Sequence, residues 1–229
     1  MKRSQINGIL HDAEAFIDRF GVALPPFARL TPEALRARAG SDILRRRLGW
    51  DVTDYGAGDF DRLGLVLVTL RNGDAAELAA GRGMLYAEKL LIARDGQLSP
   101  MHRHDTKTED IINRGGARLV LELFAARPDG SRDPEAPVHV SCDTEPRTLP
   151  AGGRLVLEPG ESVTLRPGDW HAFRAEGGDC LIGEVSTVND DETDNIFDPP
   201  LPRFATVEED APPYRLLVSD YPGIEAGTR

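Results

Sequence analysis

Gly96-Gln-Leu-Ser-Pro-Met-His102-Arg-His104-Asp-Thr-Lys-Thr-Glu109-Asp-Ile-Ile-Asn-Arg-Gly-Gly116 is the stretch that decides how the rest of the chain is read. In an extended strand, residues i and i+2 point to the same face. His102 and His104 can therefore offer two imidazoles to one ion, and Glu109 can return a carboxylate after a short connection. A further histidine follows a turn in Pro167-Gly-Asp-Trp-His171. The chain holds five histidines, and three of them fall in these two segments. Three imidazoles and one carboxylate suit Mn²⁺, Fe²⁺, Co²⁺, Ni²⁺ or Zn²⁺ and leave positions open for substrate oxygens. His102, His104, Glu109 and His171 are the expected metal ligands.

Around this stretch the chain changes character once. Residues 4–21 carry Ile6, Ile9, Leu10, Ala13, Phe16, Ile17 and Phe20 at three- and four-residue spacings, the pattern of an amphipathic helix. Ser4 suits its start and Gly21 its end. A second helix is expected from Thr31-Pro32-Glu33, with Thr31 as N-cap, to about Arg47. From Trp50 onward, short Val/Leu-rich segments alternate with Gly, Pro, Asn and Asp clusters. These segments are 64–70, 85–93, 117–124, 138–140, 154–157, 162–165 and 180–185. Such density indicates an all-β sandwich or barrel. The tail from Asp198 is rich in proline and acidic residues and is expected to wrap the surface. The expectation is one structural domain, with 1–48 a helical extension packed on a β-barrel of 49–229.

The 229 residues carry a formal net charge of -11, with 40% hydrophobic and 28% charged residues. No basic stripe interleaves with aromatics, which argues against a nucleic-acid partner. No apolar run reaches the ~20 residues needed to cross a bilayer. Asp12 and Glu14 follow the basic opening closely, so no secretory apolar region is expected, and the cytoplasm is the expected compartment. Cys142 and Cys180 share no metal or redox spacing and read as two buried thiols.

The spacing Gly96-(five residues)-His102-X-His104-(four residues)-Glu109-(six residues)-Gly116 resembles the first cupin motif throughout. Gly160 through Pro167-Gly168 to His171 resembles the second, with Arg166 where that motif carries proline and Ala175 where it often carries asparagine. Longer blocks narrow the resemblance. Leu48-Gly-Trp-Asp-Val52, Thr69-Leu-Arg-Asn-Gly73, Tyr86-Ala-Glu-Lys89, Glu109 through Gly116, Gly183-Glu-Val-Ser186 and Val188-Asn-Asp-Asp191 look like the D-lyxose ketol-isomerases. Met1-Lys-Arg-Ser4 and Leu24-Pro-Pro-Phe27 look like that family too. The resemblance implies a jelly-roll cupin barrel (double-stranded β-helix), a homodimer and Mn²⁺ as the preferred divalent ion. It implies a free pentose or hexose as substrate, interconverting D-lyxose with D-xylulose and D-mannose with D-fructose.

Aldose–ketose isomerisation moves a proton between C2 and C1 and needs a base within reach. Glu184 is the expected base. If 171–186 folds as two strands around Gly177-Gly178, Glu184 lies opposite His171 on one face. Lys107, between two expected ligands, could orient a hydroxyl or stabilise an enediolate, and it matches a lysine of the resembled family. Asp190, Trp170 and Glu88 are candidates for sugar contact. Glu88 and Lys89 must point to opposite faces of a strand, so at most one faces the cavity. Two rivals remain: a cupin dioxygenase, whose substrate pocket should be largely apolar, and a non-catalytic sugar-binding cupin, which needs no base.

Overall fold

A computed structural model describes residues 1–227; 228 and 229, the end of the expected 49–229 barrel, lie outside the described residues. Helix α1 spans Arg3–Arg19. Its Ile6, Ile9, Leu10, Ala13, Phe16 and Ile17 are buried as the spacing predicts, against Trp50, Val66, Val68, Leu90, Ile92 and Leu181. Ser4 does not cap it. The N-cap is Lys2, two residues earlier, and the Ser4 N–H and hydroxyl donate to the Asp210 carboxylate. Gly21 follows with φ +68°, which glycine adopts without a Cβ clash. The expected second helix is divided. Thr31 caps α2 (Pro32–Arg36), Gly40 turns the chain at φ +76°, and α3 covers only Asp42–Arg45. No helix among the described residues is long and apolar enough to cross a membrane.

The strands, all antiparallel in their pairings, are β1 (Gly49–Thr53), β2 (Leu65–Arg71), β3 (Tyr86–Ala93), β4 (Leu98–Arg103), β5 (Glu109–Phe124), β6 (Val138–Cys142), β7 (Glu145–Leu149), β8 (Gly153–Leu157), β9 (Ser162–Leu165), β10 (Trp170–Thr187) and β11 (Ile196–Phe197). Each expected strand segment lies wholly or mostly in one of these, while β1, β7 and β11 were not foreseen. The order β1-β2-β3-β10-β5-β9-β6-β7 forms one run; β4 joins β10 to β11, and β8 joins β5.

β5 and β10 hold the jelly roll together because they pair along nearly their whole lengths. Trp170 to Glu176 pair with Phe124 to Arg118, and Cys180 to Ser186 with Gly116 to Glu109. The first half of β10 also pairs with β4 and the second with β3. This overturns the expected hairpin at Gly177-Gly178: residues 171–186 form one strand that passes from one face of the barrel to the other. The register shifts between Glu176 and Cys180, where Gly177 and Gly178 have φ +88° and +139°.

That shift decides which side chains meet. Residues 171 and 184 differ by an odd number, so in an unbroken strand they would point to opposite faces. The bulge changes the parity, and Phe173, Ala175, Cys180 and Ile182 all enter the same interior cluster. Gly116 faces this bulge with φ +94°, and a Cβ there would lie 2.3 Å from the Asp179 carbonyl oxygen. Cys142 and Cys180 are both buried and unpaired. The tail packs back on the N-terminal helices and β1. Glu208 bridges to Lys2, Leu217 bridges to Trp50, and Leu216, Val218, Tyr221 and Ile224 cluster with Leu35 and Leu44.

Candidate active site

His102, on β4, lies directly opposite His171 at the start of β10, and His104 follows the last residue of β4. Each imidazole has a backbone carbonyl at Nδ1: Pro100 O at 2.8 Å, Asp194 O at 2.5 Å and Asp169 O at 3.0 Å. A carbonyl only accepts, so Nδ1 is the N–H in each ring and the neutral ring presents the Nε2 lone pair. Ligand nitrogens of the three histidines lie within 4.8 Å of one another. Glu109 Oε1 is 3.4 Å from His104 Nε2 and 3.2 Å from His171 Nε2.

The charge state of this cluster points to a cation. His104 Nε2, His171 Nε2 and Glu109 Oε1 are buried and have no hydrogen-bond partner among the described residues. Burial and the neighbouring imidazoles hold the His102 ring well below the usual histidine range. Burial alone would raise the Glu109 carboxyl, but Lys107 and His104 outweigh it and hold the group well below the usual carboxylate range. Electron pairs thus converge at one buried point, an arrangement that costs free energy unless a positive ion sits among them. The donor set fits a divalent metal.

The connection between His104 and Glu109 is held by Asp194. Its carboxylate accepts from the backbone N–H of Asp105, Thr106 and Lys107 at 2.7, 3.1 and 3.0 Å, and from the Thr106 hydroxyl at 2.7 Å. The loop so fixed turns Lys107 inward, and there an alternating chain of charges begins. Lys107 Nζ lies 2.6 Å from Glu109 Oε2 and 2.9 Å from Glu184 Oε1. Glu184 Oε1 is 3.4 Å from Lys89 Nζ, which donates to Asn189 Oδ1 at 2.7 Å and approaches Asp191 Oδ1 at 3.3 Å. Asp191 Oδ1 is 3.4 Å from Arg203 Nη2, and Arg203 Nη1 donates to Asp51 Oδ2 at 2.6 Å. Burial opposes the charge on Lys107, yet Glu109 and Glu184 outweigh it and raise its pKa.

A cavity lies beside this chain of charges. Its lining includes the histidines, Glu109, Lys107, Glu184, Lys89, Asp191 and Arg203, with apolar surface from Leu65, Leu67, Leu91, Phe173 and Phe197. The structure therefore brings together His102, His104, Glu109, His171, Lys107 and Glu184.

Three expected sugar contacts are not among the lining. Glu88 pairs with Arg71 outside the cavity, because Leu90 and Ile92 on its side of β3 pack toward α1 while Leu91 faces inward. Lys89 takes the inward position. Trp170 packs with Met101 and Ala172, its Nε1 donating to Gly130 O at 3.1 Å, so it is a packing residue. Asp190 is exposed and accepts from the backbone N–H of Glu192 and Thr193 and from the Thr193 hydroxyl; Asp191 turns into the cavity instead. Lys89 was within reach of sequence reasoning through the packing of α1. Arg203 was not, because it arrives from a tail with no strand or helix pattern.

The chain has counterparts among known proteins. A family model described as D-lyxose isomerase matches residues 1–221. The D-lyxose/D-mannose isomerase of Serratia proteamaculans is 47% identical over 228 residues, covering 96% of this chain and 98% of the relative. That of Escherichia coli O157:H7 is 43% identical over 226 residues, with the same coverages of 96% and 98%. Among solved structures, an Acinetobacter L-ribose isomerase variant in complex with L-ribose superposes with a TM-score of 0.60 at 13% identity, covering 91% of this chain and 98% of that one, which shows a shared fold. This chain belongs to the D-lyxose isomerase family.

Proposed function

We propose that the protein interconverts D-lyxose and D-xylulose, and D-mannose and D-fructose, as a divalent-metal-dependent isomerase using Mn²⁺ by preference. The observation that carries this reading is the buried cluster of acceptors joined through Lys107 to a cavity-facing carboxylate, Glu184. His102, His104, Glu109 and His171 would hold the ion. When bound, a divalent ion acts as a Lewis acid that polarises the sugar carbonyl and adjacent hydroxyl.

The chain's own groups supply the proton chemistry. The lysine contacts to Glu184 fall on Oε1, so Oε2 is the oxygen that takes the C2 proton of the open-chain aldose. The electron pair left behind forms an enediolate; return of the proton to C1, with the O2 hydroxyl proton passing to O1, gives the ketose. Lys107 remains charged and lends positive charge to the enediol oxygens. Leu65, Leu67, Phe173 and Phe197 limit water at the reacting carbons. A largely polar wall suits a polyol better than the apolar substrate of an oxygenase, and a carboxylate beside the acceptor cluster supplies the base that a mere sugar binder would not need.

The family resemblance also supports a homodimeric, cytoplasmic enzyme. The packing of α1 against Trp50, Val66, Val68, Leu90 and Ile92 supports reading 1–48 and 49–229 as one structural domain. The test is to strip the protein of metal, resupply Mn²⁺, and assay D-lyxose and D-mannose for ketose. Conversion that depends on the added ion is expected; no conversion of any free aldose would sink the reading.

A further inference from the structure

We infer that Asp191 and Arg203 form a subsite that reads the terminal hydroxyl of the open-chain sugar, the one farthest from the carbons that react. The inference rests on the isomerase reading, which places C1 and C2 beside the acceptor cluster and Glu184. From that end the alternating charges run along the cavity in sequence: Glu109, Lys107, Glu184, Lys89, Asp191, Arg203. Lys107 and Lys89 both approach Glu184 Oε1. Asp191 and Arg203 lie beyond Lys89 in this sequence of contacts and line the same cavity, where the rest of a sugar held at C1–C2 can meet them.

The atoms of Asp191 are unequally used. The hydrogen bonds from Lys89 and Asn195 and the nearest approach of Arg203 all fall on Oδ1. Asn189 also lies against this carboxylate, but no hydrogen bond of Lys89 or Asn195 engages Oδ2, which can accept from a ligand in the cavity that Asp191 lines. Burial would raise this carboxyl, but Lys89 and Arg203 outweigh burial and hold it well below the usual range, so the acceptor is an anion. Hydrogen bonds to an ionised acceptor are about twice as strong as neutral ones. Arg203 Nη1 is fixed on Asp51, which aims the rest of the guanidinium fork at Asp191 and the cavity.

The cost of such an assembly argues for a role. Buried ion pairs stabilise a fold no better than well-packed apolar residues of similar size. This one also requires a tail segment, 152 residues from Asp51 in sequence, to deliver an arginine into the barrel. The same charges define the substrate class. Lys89 and Arg203 each already face carboxylates, so a phosphate at the sugar's far end would meet the open Oδ2 anion without a free cation. An unphosphorylated aldose is the ligand that fits.

The test compares D-lyxose with 5-deoxy-D-lyxose, which lacks the terminal hydroxyl, on Mn²⁺-loaded wild-type, Asp191→Ala and Asp191→Asn proteins. For the wild type, kcat/KM for the deoxy sugar is expected to be ~10- to 100-fold lower, the range of one charged hydrogen bond. In Asp191→Ala the value for D-lyxose is expected to fall by a similar factor, while that for the deoxy sugar changes less than ~3-fold. The ratio of the two sugars does not depend on how much of a variant folds, and Asp191→Asn preserves the shape of the site as a second measure. Equal losses on both sugars would overturn the subsite and leave Asp191 a structural residue. Equal use of both sugars by the wild type would overturn it as well. If the wild type turns over neither sugar, the isomerase reading fails on its own. Calorimetric binding of D-xylulose against 5-deoxy-D-xylulose then decides the subsite by the same ratio.

Discussion

The two halves of β10 carry the two ends of the candidate site, and they hold their side chains by different means. His171, near its start, is oriented by the carbonyl of Asp169, two residues before it, and His102 by that of Pro100, again two residues before. Glu184, near its end, is oriented by Lys107 and Lys89 from two other segments. At the first end backbone carbonyls set the ring tautomers, locally for His102 and His171 and from Asp194 for His104. The second is an ion-pair wall gathered from across the chain. The first is therefore suited to holding an ion rigidly, and the second to meeting a polar substrate along its length.

The largest expected effect comes from breaking the first end. His171→Ala removes one acceptor from the convergent cluster and is expected to abolish tight metal binding, with turnover reduced more than ~100-fold, beyond what loss of an orienting contact causes. Metal analysis of the purified variant checks this. Next in size is Asp194→Ala, which releases the backbone of residues 105–107. A loss of ~10- to 100-fold in metal affinity or turnover is expected, as for a group that orients ligands without touching the ion.

These two ends were unequally legible in the sequence. The quartet His102, His104, Glu109 and His171 could be read from spacing because alternation along a strand and a turn before His171 are local facts. The helical face of α1 and the strand-dense remainder were legible for the same reason. Glu184 was named through a hairpin that does not form; what brings it inward is a parity change at Gly177-Gly178 that no period-2 pattern reveals. An acidic run gives no direction to its members, and the turn that faces Asp190 outward depends on Thr193. Arg203 carries no local signal, since its place is set by Asp51 and Asp191.

Smaller effects sharpen the comparison. Gly116→Ala places a Cβ against the Asp179 backbone where the strand changes face, and a stability loss of ~1–3 kcal/mol is expected in thermal unfolding. A drop in turnover larger than the unfolded fraction explains would show that the bulge also aims Glu184. Trp170→Phe, next to His171 but packed outside the cavity, is expected to lose ~0.5–1.5 kcal/mol through its indole hydrogen bond. Its turnover is expected to stay within ~2-fold of wild type, as befits a surface-independent packing change.

The most direct test of the division between ion holding and proton transfer is exchange of the sugar C2 hydrogen in D₂O by Mn²⁺-loaded wild type and Glu184→Gln, with bound metal measured in the same samples. The expected result is deuterium in the ketose made by the wild type. In Glu184→Gln, unchanged metal content is expected with exchange and turnover reduced by ~10²- to 10⁴-fold, the range for removal of a general base. Full exchange in Glu184→Gln, or ketose formed by the wild type without deuterium, would contradict the assignment of the proton to Glu184.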